Sequence, residues 1–488
     1  MPENTVNPSQ SGDWQQRLSP LIQLSNNWIS RIGVLLVTTA GILWLFLLPT
    51  YLGGHAGSAY IGILLFLVLP MFFFGGLIMI PLGIAVLRRK LGPAGRLREA
   101  IGVKSLSWQN PDFRRLATFV LGATVVNVAI GANLTYRAVE HMDSVQFCGQ
   151  TCHVVMKPEF TAYQNSPHSR VECVKCHIGP GASWFVQSKL SGVHQVFAVT
   201  LNTYERPIQV PIPNLRPARE TCEGCHWPDK FGADRLRVIP HYSDEGVRSD
   251  SVLLLRIGGG SAGGYGIHTA HVGKGVKIRY AHTDRERQKI PWVEYSRDSE
   301  KHEFFAPKTT QQDVAGMDVR EMDCMDCHNR PSHAMELPER AVDRAMSTGD
   351  IPADLPLVRK AALEILKTNY DSTEKAETAI PEAVRQYFRE QQPEAAAKRA
   401  SDVDRAAATV LKIWQRNIFP EMKITWGTYI NNIGHNDFPG CFRCHDEEHK
   451  TVDGAKAIAQ DCNGCHVLLA MEEEKPKILQ DLGLRSEE

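Results

Sequence analysis

The sequence predicts a mainly α-helical chain with little regular core, N-terminal transmembrane helices and a small β-rich insert. Long apolar stretches lie in the N-terminal third, and the 12 cysteines follow them in close pairs. The spacers between pairs change from strand-like to helical along the chain. A chain of 488 residues is long enough for more than one folding unit.

Three stretches without a charged side chain predict membrane spans at Ile32–Leu52, Ala59–Leu87 and Leu116–Tyr136. Each could cross the roughly 30 Å hydrocarbon core of a bilayer as a helix. The third stretch carries Asn127 and Asn133, so an amphipathic core helix is the alternative there. Hydropathy favours three spans.

The distribution of basic residues predicts the orientation in the membrane. The loop at Tyr51–Ser58 has no lysine or arginine. The segment between the second and third spans carries eight, namely Arg88, Arg89, Lys90, Arg96, Arg98, Lys104, Arg114 and Arg115. Basic loops stay in the cytoplasm. We therefore expect a multi-pass protein of the bacterial inner membrane, with an uncleaved anchor and everything after the third span in the periplasm.

After the membrane spans, the sequence pattern changes from strand-like to helical. Around Val276 to Tyr280 apolar and basic residues alternate as in a strand, and glycine-rich turns separate such runs. A helical period follows at Ala407, Val410, Leu411, Trp414 and Ile418. These patterns predict a cytoplasmic segment at 1–31, a membrane anchor at 32–138, a domain with four cysteine pairs at 139–338 that contains the β-rich insert at about 235–310, a helical region at 339–420, and a C-terminal region with two pairs at 421–488.

All cysteines fall in pairs, and every second cysteine is followed by histidine. Two thiols three positions apart can form thioethers to the two vinyl groups of one porphyrin, and the next imidazole then sits under the iron. Five pairs with their histidines fit this pattern: Cys173, Cys176 and His177; Cys222, Cys225 and His226; Cys324, Cys327 and His328; Cys441, Cys444 and His445; Cys462, Cys465 and His466. We predict covalent haem c, and hence a multihaem cytochrome c.

The sixth pair, Cys148 and Cys152, has three intervening residues and is followed by His153 and Met156. Either of the last two could bind the iron, and a methionine ligand would raise the reduction potential relative to a second histidine. Alternatively, Met156 only packs against the porphyrin. We expect six haems, or five if this variant pair is empty.

Zinc is the main alternative, because the pairs at Cys441 and Cys462 fit the spacing of a zinc ribbon. The histidine after every pair and the oxidising side of the membrane favour haem over both zinc and disulfides. The balance of 54 basic and 54 acidic residues gives no argument for nucleic acid as a partner.

Several segments around the first four pairs carry a family resemblance. They are a transmembrane helix followed by Phe147-Cys148, Ser166-Pro-His168, Ser191-Gly-Val-His194-Gln195, and Cys324-Met-Asp-Cys-His-Asn-Arg-Pro-Ser-His333. This order resembles the NapC/NirT/NrfH family of membrane-anchored quinol dehydrogenases over roughly Arg114 to Pro338. The longer pattern, with Gly266-Ile-His268-Thr-Ala-His271 and Trp426-Gly-Thr-Tyr429, is similar to its larger ImcH-like inner-membrane members.

The resemblance implies quinol oxidation at the periplasmic membrane face, at the first haem, and passage of single electrons along the others. It implies His333 as the second ligand for the haem of Cys173 and Cys176, and His168 for that of Cys222 and Cys225. Candidate quinol-site residues are Lys189, His194 and Gln195. Gln195 stands where small relatives have an acidic residue.

The histidines outside the motifs supply further candidate second ligands to iron. His435 and His449 lie in motif-like contexts, and His268 and His271 are open between ligand and ordinary histidine.

We therefore expect a quinol-oxidising cytochrome whose partners are membrane lipid, the quinone pool and a periplasmic or outer-membrane cytochrome acceptor. A passive haem wire of a larger quinone oxidoreductase and a terminal reductase, such as a nitrite reductase, are the rival interpretations. A homo- or hetero-oligomer is compatible with the sequence.

Overall fold

The computed structural model describes residues 26–52, 65, 68–91, 111–151, 153–212, 215–227, 231–232, 234–259 and 264–484. The predicted cytoplasmic segment at 1–31 and much of the basic loop therefore lie largely outside the described residues. The chain divides into two compact units, Met1–Phe147 and Cys148–Glu488.

The N-terminal unit contains three long helices, α1 (Trp28–Leu52), α2 (Leu69–Leu91) and α3 (Pro111–Met142). Each includes a stretch long and apolar enough to cross a membrane, at Trp28–Leu47, Leu69–Lys90 and Ala117–Met142. The three predicted membrane helices are thus confirmed as helices. The start of the second predicted span, at 59–64, lies outside the described residues.

Small residues let α1 and α2 approach closely. A Cβ atom on Gly33 would lie 2.7 Å from the carbonyl oxygen of Gly76, and one on Gly76 would lie 2.6 Å from that of Gly33. The Ser30 hydroxyl also donates a hydrogen bond to the Ile80 carbonyl oxygen at 2.9 Å. Close backbone packing of this kind is typical of helices in a membrane, where apolar burial does not drive association.

The polar Asn127 of α3 is used in a helix contact. Its amide nitrogen donates to the Thr38 hydroxyl of α1 at 3.0 Å, and the Thr39 hydroxyl donates to its amide oxygen at 3.3 Å. Polar side chains inside membrane spans commonly form such interhelical hydrogen bonds. The asparagine that suggested an amphipathic core helix therefore agrees with a span.

The second unit begins with short helices that carry the first cysteine pairs. They are α4 (Val145–Gln150, which starts in the first unit), α5 (His153–Gln164), α6 (Cys173–His177), α7 (Ala182–Thr200) and α8 (Ala218–Cys222). Among them, α7 has no buried residue.

Two antiparallel sheets follow. The strands, with three short helices between them, are β1 (Arg235–Tyr242), β2 (Arg248–Leu255), α9 (Ile267–Val272), β3 (Val276–His282), β4 (Trp292–Arg297), β5 (Glu300–Phe305), α10 (Gln311–Val314), β6 (Asp318–Glu321), α11 (Cys324–Cys327) and, near the C-terminus, β7 (His466–Glu473). One sheet has the order β1-β2-β7 and the other has the order β5-β4-β3-β6.

The predicted alternation in β3 is confirmed, because Ile278 and Tyr280 are buried while Lys277 and Arg279 are exposed. The insert is larger than the predicted 235–310, since β6 ends only at Glu321. It is also not self-contained, because β7 pairs with β2 from the far end of the chain.

The helical region has a hydrophobic core of its own. Its helices are α12 (Pro338–Ser347), α13 (Val358–Leu366), α14 (Thr373–Gln391), α15 (Pro393–Lys398) and α16 (Ala400–Asn417). Val342, Phe388, Val410 and Trp414 are among its fully buried side chains. The helical period predicted for α16 therefore marks its buried face. Two further helices, α17 (Cys462–Cys465) and α18 (Lys477–Asp481), lie near the C-terminus.

Candidate haem sites

Each regular cysteine pair lies on one helical turn. The pairs are at α6, the end of α8, α11, a short 3-10 turn at Gly440–Arg443, and α17. In three of them the backbone N–H of the motif histidine donates to the carbonyl oxygen of the first cysteine and closes the turn. The distances are 2.7 Å from His226 to Cys222, 2.8 Å from His328 to Cys324 and 3.1 Å from His445 to Cys441. Residues three apart on a helix share a face, so both thiols can reach one porphyrin.

Every one of the five regular motif histidines faces a second histidine ring. The distances between ring centres are 5.9 Å for His168 and His226, 6.2 Å for His177 and His333, 6.3 Å for His268 and His328, 5.8 Å for His271 and His445, and 6.3 Å for His435 and His466.

These separations suit two ligands on opposite faces of one iron. A metal–imidazole nitrogen bond is about 2.0–2.1 Å long, so two axial imidazoles place their ring centres roughly 6 Å apart. Two nitrogen donors and two thiols per site also match the donor set of a covalent haem with two histidine ligands. The residues therefore fit haem c.

The structure brings together the pairs that the resemblance implied, because His333 faces His177 and His168 faces His226. His435 also meets a motif histidine. The two open candidates, His268 and His271, lie on the short helix α9 and face the histidines of two different motifs. One helix of six residues thus places a histidine at each of two neighbouring candidate sites.

The surroundings of His449 do not fit its predicted role as an iron ligand. Its side chain is 3% exposed. One ring nitrogen, Nδ1, lies 2.9 Å from the Asp446 carboxylate, and Nε2 lies 2.7 Å from the Ile290 carbonyl oxygen. An axial ligand needs one ring nitrogen directed at the iron. Both nitrogens are engaged, so His449 has no ring nitrogen available for iron and the prediction that it is a ligand is wrong.

Burial keeps many of the paired imidazoles in the form that binds metal. Desolvation is the largest effect on the pKa of six of these rings and lowers it in each, at His177, His268, His271, His328, His333 and His466. A lowered histidine pKa favours the neutral ring, which is the ligand form.

Backbone carbonyl groups orient four of the rings through Nδ1. The acceptors are the carbonyl oxygens of Pro331 for His168 at 3.2 Å, Glu159 for His333 at 3.0 Å, Ile267 for His271 at 2.7 Å and Ala459 for His445 at 2.8 Å. A hydrogen bond from Nδ1 fixes the tautomer and leaves Nε2 available for a metal.

The cysteine pairs follow one another in space in the order in which they follow one another in sequence. A side-chain hydrogen bond from Cys148 lowers the pKa of Cys173 to about 7, and one from Cys222 has the same effect on Cys324. Electrostatic contacts link the remaining neighbours, Cys176 with Cys225, Cys327 with Cys441, and Cys441 with Cys465. Each motif therefore has a thiol near a thiol of the next motif, and we call this series of neighbours the row of motifs.

The variant first motif is described only in part. Cys148 lies on α4, whereas Cys152 and the side chain of His153 lie outside the described residues. Met156 lies on α5, one helical turn after His153, and is half-buried. His153 and Met156 remain predicted ligands for this site.

The zinc alternative finds no support among the described residues. Within that part of the chain, no group of three or more histidine, cysteine or acidic side chains converges in a way that could hold a metal ion. The four thiols at Cys441, Cys444, Cys462 and Cys465 are free and do not form such a cluster.

Comparison with known proteins agrees with this geometry. Residues 112–211 match the model of the NapC/NirT cytochrome c family, N-terminal region. The cytochrome c-type protein ImcH of Geobacter sulfurreducens is 42% identical over 459 residues, which are 92% of this chain and 89% of ImcH. The chain belongs to the ImcH-like c-type cytochromes of the NapC/NirT type. It is thus a membrane cytochrome of electron transport with covalent haem c. No solved structure matches it.

In this ImcH-like cytochrome, a buried ion pair holds one of the proposed ligands. Arg330 is paired with Glu159 at 3.2 Å, with side chains 5% and 15% exposed. The Arg330 Nε donates to the His333 carbonyl oxygen at 2.8 Å, and its guanidinium lies over the Tyr429 ring at 4.1 Å. Glu159 accepts from His333 in turn. Neither Glu159 nor Arg330 was predicted from the sequence, although Arg330 lies in the segment that carried the resemblance.

A second buried group lies inside a cysteine motif. Asp326 is 2% exposed and accepts hydrogen bonds from the Tyr280 hydroxyl at 2.5 Å and from Arg287 and Arg320, each at 3.2 Å. Burial, with the neighbouring carboxylate, raises the pKa of Tyr280, which stays protonated as a donor. The carboxylate is thus compensated by two cations.

The same residue joins two haem motifs of the cytochrome. The guanidinium of Arg443, which lies between Cys441 and Cys444, donates to the Asp326 main-chain oxygen at 2.6 Å. Asn432 donates to that oxygen as well, at 3.1 Å. Residues that lie between the two cysteines of each motif, Asp326 in one and Arg443 in the other, therefore hold the two neighbouring sites at a fixed distance from each other. Their long-range contacts left no signal in the sequence.

The three predicted quinol-site residues lie on α7 but not on one face. Lys189 lies over the Phe185 ring at 4.8 Å, and Gln195 donates to the Ser191 hydroxyl at 3.3 Å. At roughly 100° per residue, Gln195 is turned by about 120° from Lys189 and His194 by about 140°. One quinol ring could not contact all three from a single side of the helix.

Proposed function

We propose that this cytochrome oxidises membrane quinol and passes the electrons singly along six covalent haems to a periplasmic or outer-membrane cytochrome. The observation that carries this proposal is the row of motifs, which starts at Cys148, six residues after the end of α3, and continues in sequence order to Cys465. We place the row in the periplasm of a multi-pass inner-membrane protein.

Quinol oxidation releases two electrons and two protons. Bound haem supplies the one-electron redox chemistry, while the protein supplies position, ligands and electrostatics. The paired histidines would hold each group in place, and Asp326 with Arg443 would fix the spacing between two of them. Lys189, His194 and Gln195 on α7 are the proposed residues near the quinol headgroup. At least one of them would accept or relay a proton.

The histidine pairs favour a conducting role over terminal reduction. A terminal reductase needs an iron with an open position for its substrate. Two protein ligands at each of five sites leave no such position there. The first site, with its variant spacing, is the exception, and this suits it as the place where electrons enter.

The purified cytochrome is expected to be reduced by a short-chain quinol, with the reduction followed at the haem absorption bands. Replacing Lys189, His194 and Gln195 together by alanine should slow this reduction on the order of 10²-fold, the lower end of what positioned proton acceptors contribute. Lys189→Ala alone tests this lysine separately, because it lies on a different side of α7 from His194 and Gln195.

A matched control replaces the exposed Gln386 and Lys398 by alanine, which should leave the rate unchanged. Haem content must equal that of the wild type in all variants. An unchanged rate in the triple variant would refute the quinol-site assignment. If quinol does not reduce the wild-type cytochrome, the result would favour the rival interpretation, a passive haem wire of a larger quinone oxidoreductase.

Six covalent haems per chain are expected by intact mass spectrometry, because six cysteine pairs use all 12 cysteines. Replacing Cys462 and Cys465 by alanine should remove one haem mass and leave the rest. A wild-type count of five would mean that the pair at Cys148 is empty. Zinc with free thiols at Cys441 to Cys465 would contradict the assignment there.

A further inference from the structure

Helix α7 carries a stripe of uncovered apolar side chains. Val186, Leu190, Val193, Phe197 and the following Leu201 are 54%, 68%, 56%, 62% and 67% exposed. Their spacing of four, three, four and four residues places them on one side of a helix. We name these five residues the α7 stripe.

The opposite side of α7 is polar but uncharged. Ser188, Ser191 and Gln195 lie there, and Lys189 is the single lysine, arginine or acidic residue between Ala182 and Thr200. A surface helix that faces water on its outer side normally carries several charges. A stripe of this kind instead marks a surface that contacts something apolar.

The length and composition of α7 suit a helix that lies on a membrane better than one that crosses it. The helix is not among the three candidate spans. Helices that lie in the interface bury one apolar face and keep the polar face in water. Lys189, at the edge of the stripe, has a long apolar stem that can lie along lipid while its ammonium group reaches the headgroups.

The position of α7 along the chain indicates which apolar surface is available. It begins five residues after His177, and the first thiol of that motif, Cys173, is hydrogen-bonded to Cys148. Cys148 follows Met142, the last residue of a membrane-spanning helix, by six residues. The part of the chain that carries α7 is therefore connected to the end of α3 by a short path along the chain.

We propose that α7 is an interfacial helix whose stripe is inserted into the lipid at the acyl boundary of the membrane. This contact is a second attachment of the cytochrome, separate from its three spans. It holds whether or not quinol is the electron donor, so its test does not depend on activity.

The test uses the full-length cytochrome in membrane vesicles with a cysteine placed at Leu190 or at Ser191. The natural cysteines carry haem, so the added thiol is the one that reacts. A membrane-impermeant maleimide should modify the Leu190→Cys thiol severalfold more slowly than the Ser191→Cys thiol. Ser191 is the matched control because it is exposed, adjacent and on the polar side. Val193→Cys replaces Leu190→Cys if that variant loses haem.

A second measurement identifies whether lipid is what covers the α7 stripe. A phosphatidylcholine with a photoreactive diazirine in its acyl chain should label the wild-type peptide that contains the stripe, as mapped by mass spectrometry. Equal maleimide rates at both positions would overturn the proposal, because the stripe would then face water. Slow modification without lipid labelling would also overturn it, because protein or haem would then cover the stripe.

Discussion

Replacing His333 by methionine should raise the midpoint potential of one haem on the order of 0.1 V, within the roughly 0.8 V range that axial ligands cover. His333 faces His177 at 6.2 Å, so the substitution would exchange one of two proposed histidine ligands for a thioether. A redox titration of the purified cytochrome, followed at the haem bands, measures the shift. The other haems should keep their potentials.

His449→Gln is the matched control, because His449 is also a buried histidine near a motif. Its ring nitrogens are engaged with Asp446 and Ile290, so the haem spectrum and all midpoint potentials should stay unchanged. Loss of these buried contacts should lower the free energy of unfolding by about 1–3 kcal/mol. The ligand assignment fails if the His449 variant alters a haem and the His333 variant does not.

Asp326→Ala should lower the free energy of unfolding of the haem-bearing unit by about 3–5 kcal/mol, as expected when a buried ion pair loses one partner. The substitution leaves Arg287 and Arg320, with side chains 19% and 25% exposed, without this carboxylate. It also removes the acceptor for Tyr280. Urea denaturation of the haem-loaded cytochrome, followed by circular dichroism, measures the loss.

The control for this variant is Asp481→Ala at an exposed pair. Lys477 and Asp481 lie 2.7 Å apart, with side chains 82% and 52% exposed. Such a pair contributes at most about 0.5–1 kcal/mol. A loss at Asp326 no larger than that at Asp481 would contradict a structural role for the buried carboxylate.

The features that depend on local spacing could be predicted from the sequence. Hydropathy predicted the three membrane helices, and the cysteine motifs specified the thiols and motif histidines, because each motif is a single helical turn. The second histidine of each pair could not be predicted from local spacing alone. His168 and His333 came from a resemblance, whereas His268 and His271 stayed open, because nothing local links α9 to motifs far along the chain.

His449 illustrates how local context misleads. It follows a cysteine motif by four residues, as a ligand could, yet a buried carbonyl at Ile290 accepts from its ring. That contact joins segments far apart in sequence. The pairing of β7 with β2 and the contacts of Asp326 are likewise long-range. Periodicity within a segment carries no information on such partners.

The arrangement of the histidine pairs has a consequence for the assembly of the cytochrome. In four pairs the second histidine precedes the motif in the chain, as His168 precedes His226 and His435 precedes His466. Synthesis from the N-terminus would thus produce the proposed second ligand before the cysteines of its motif. The site of Cys173 differs, since His333 is made much later than His177. Its iron would remain incompletely ligated until the fourth motif has emerged, so maturation of this site would be coupled to completion of a distant part of the chain.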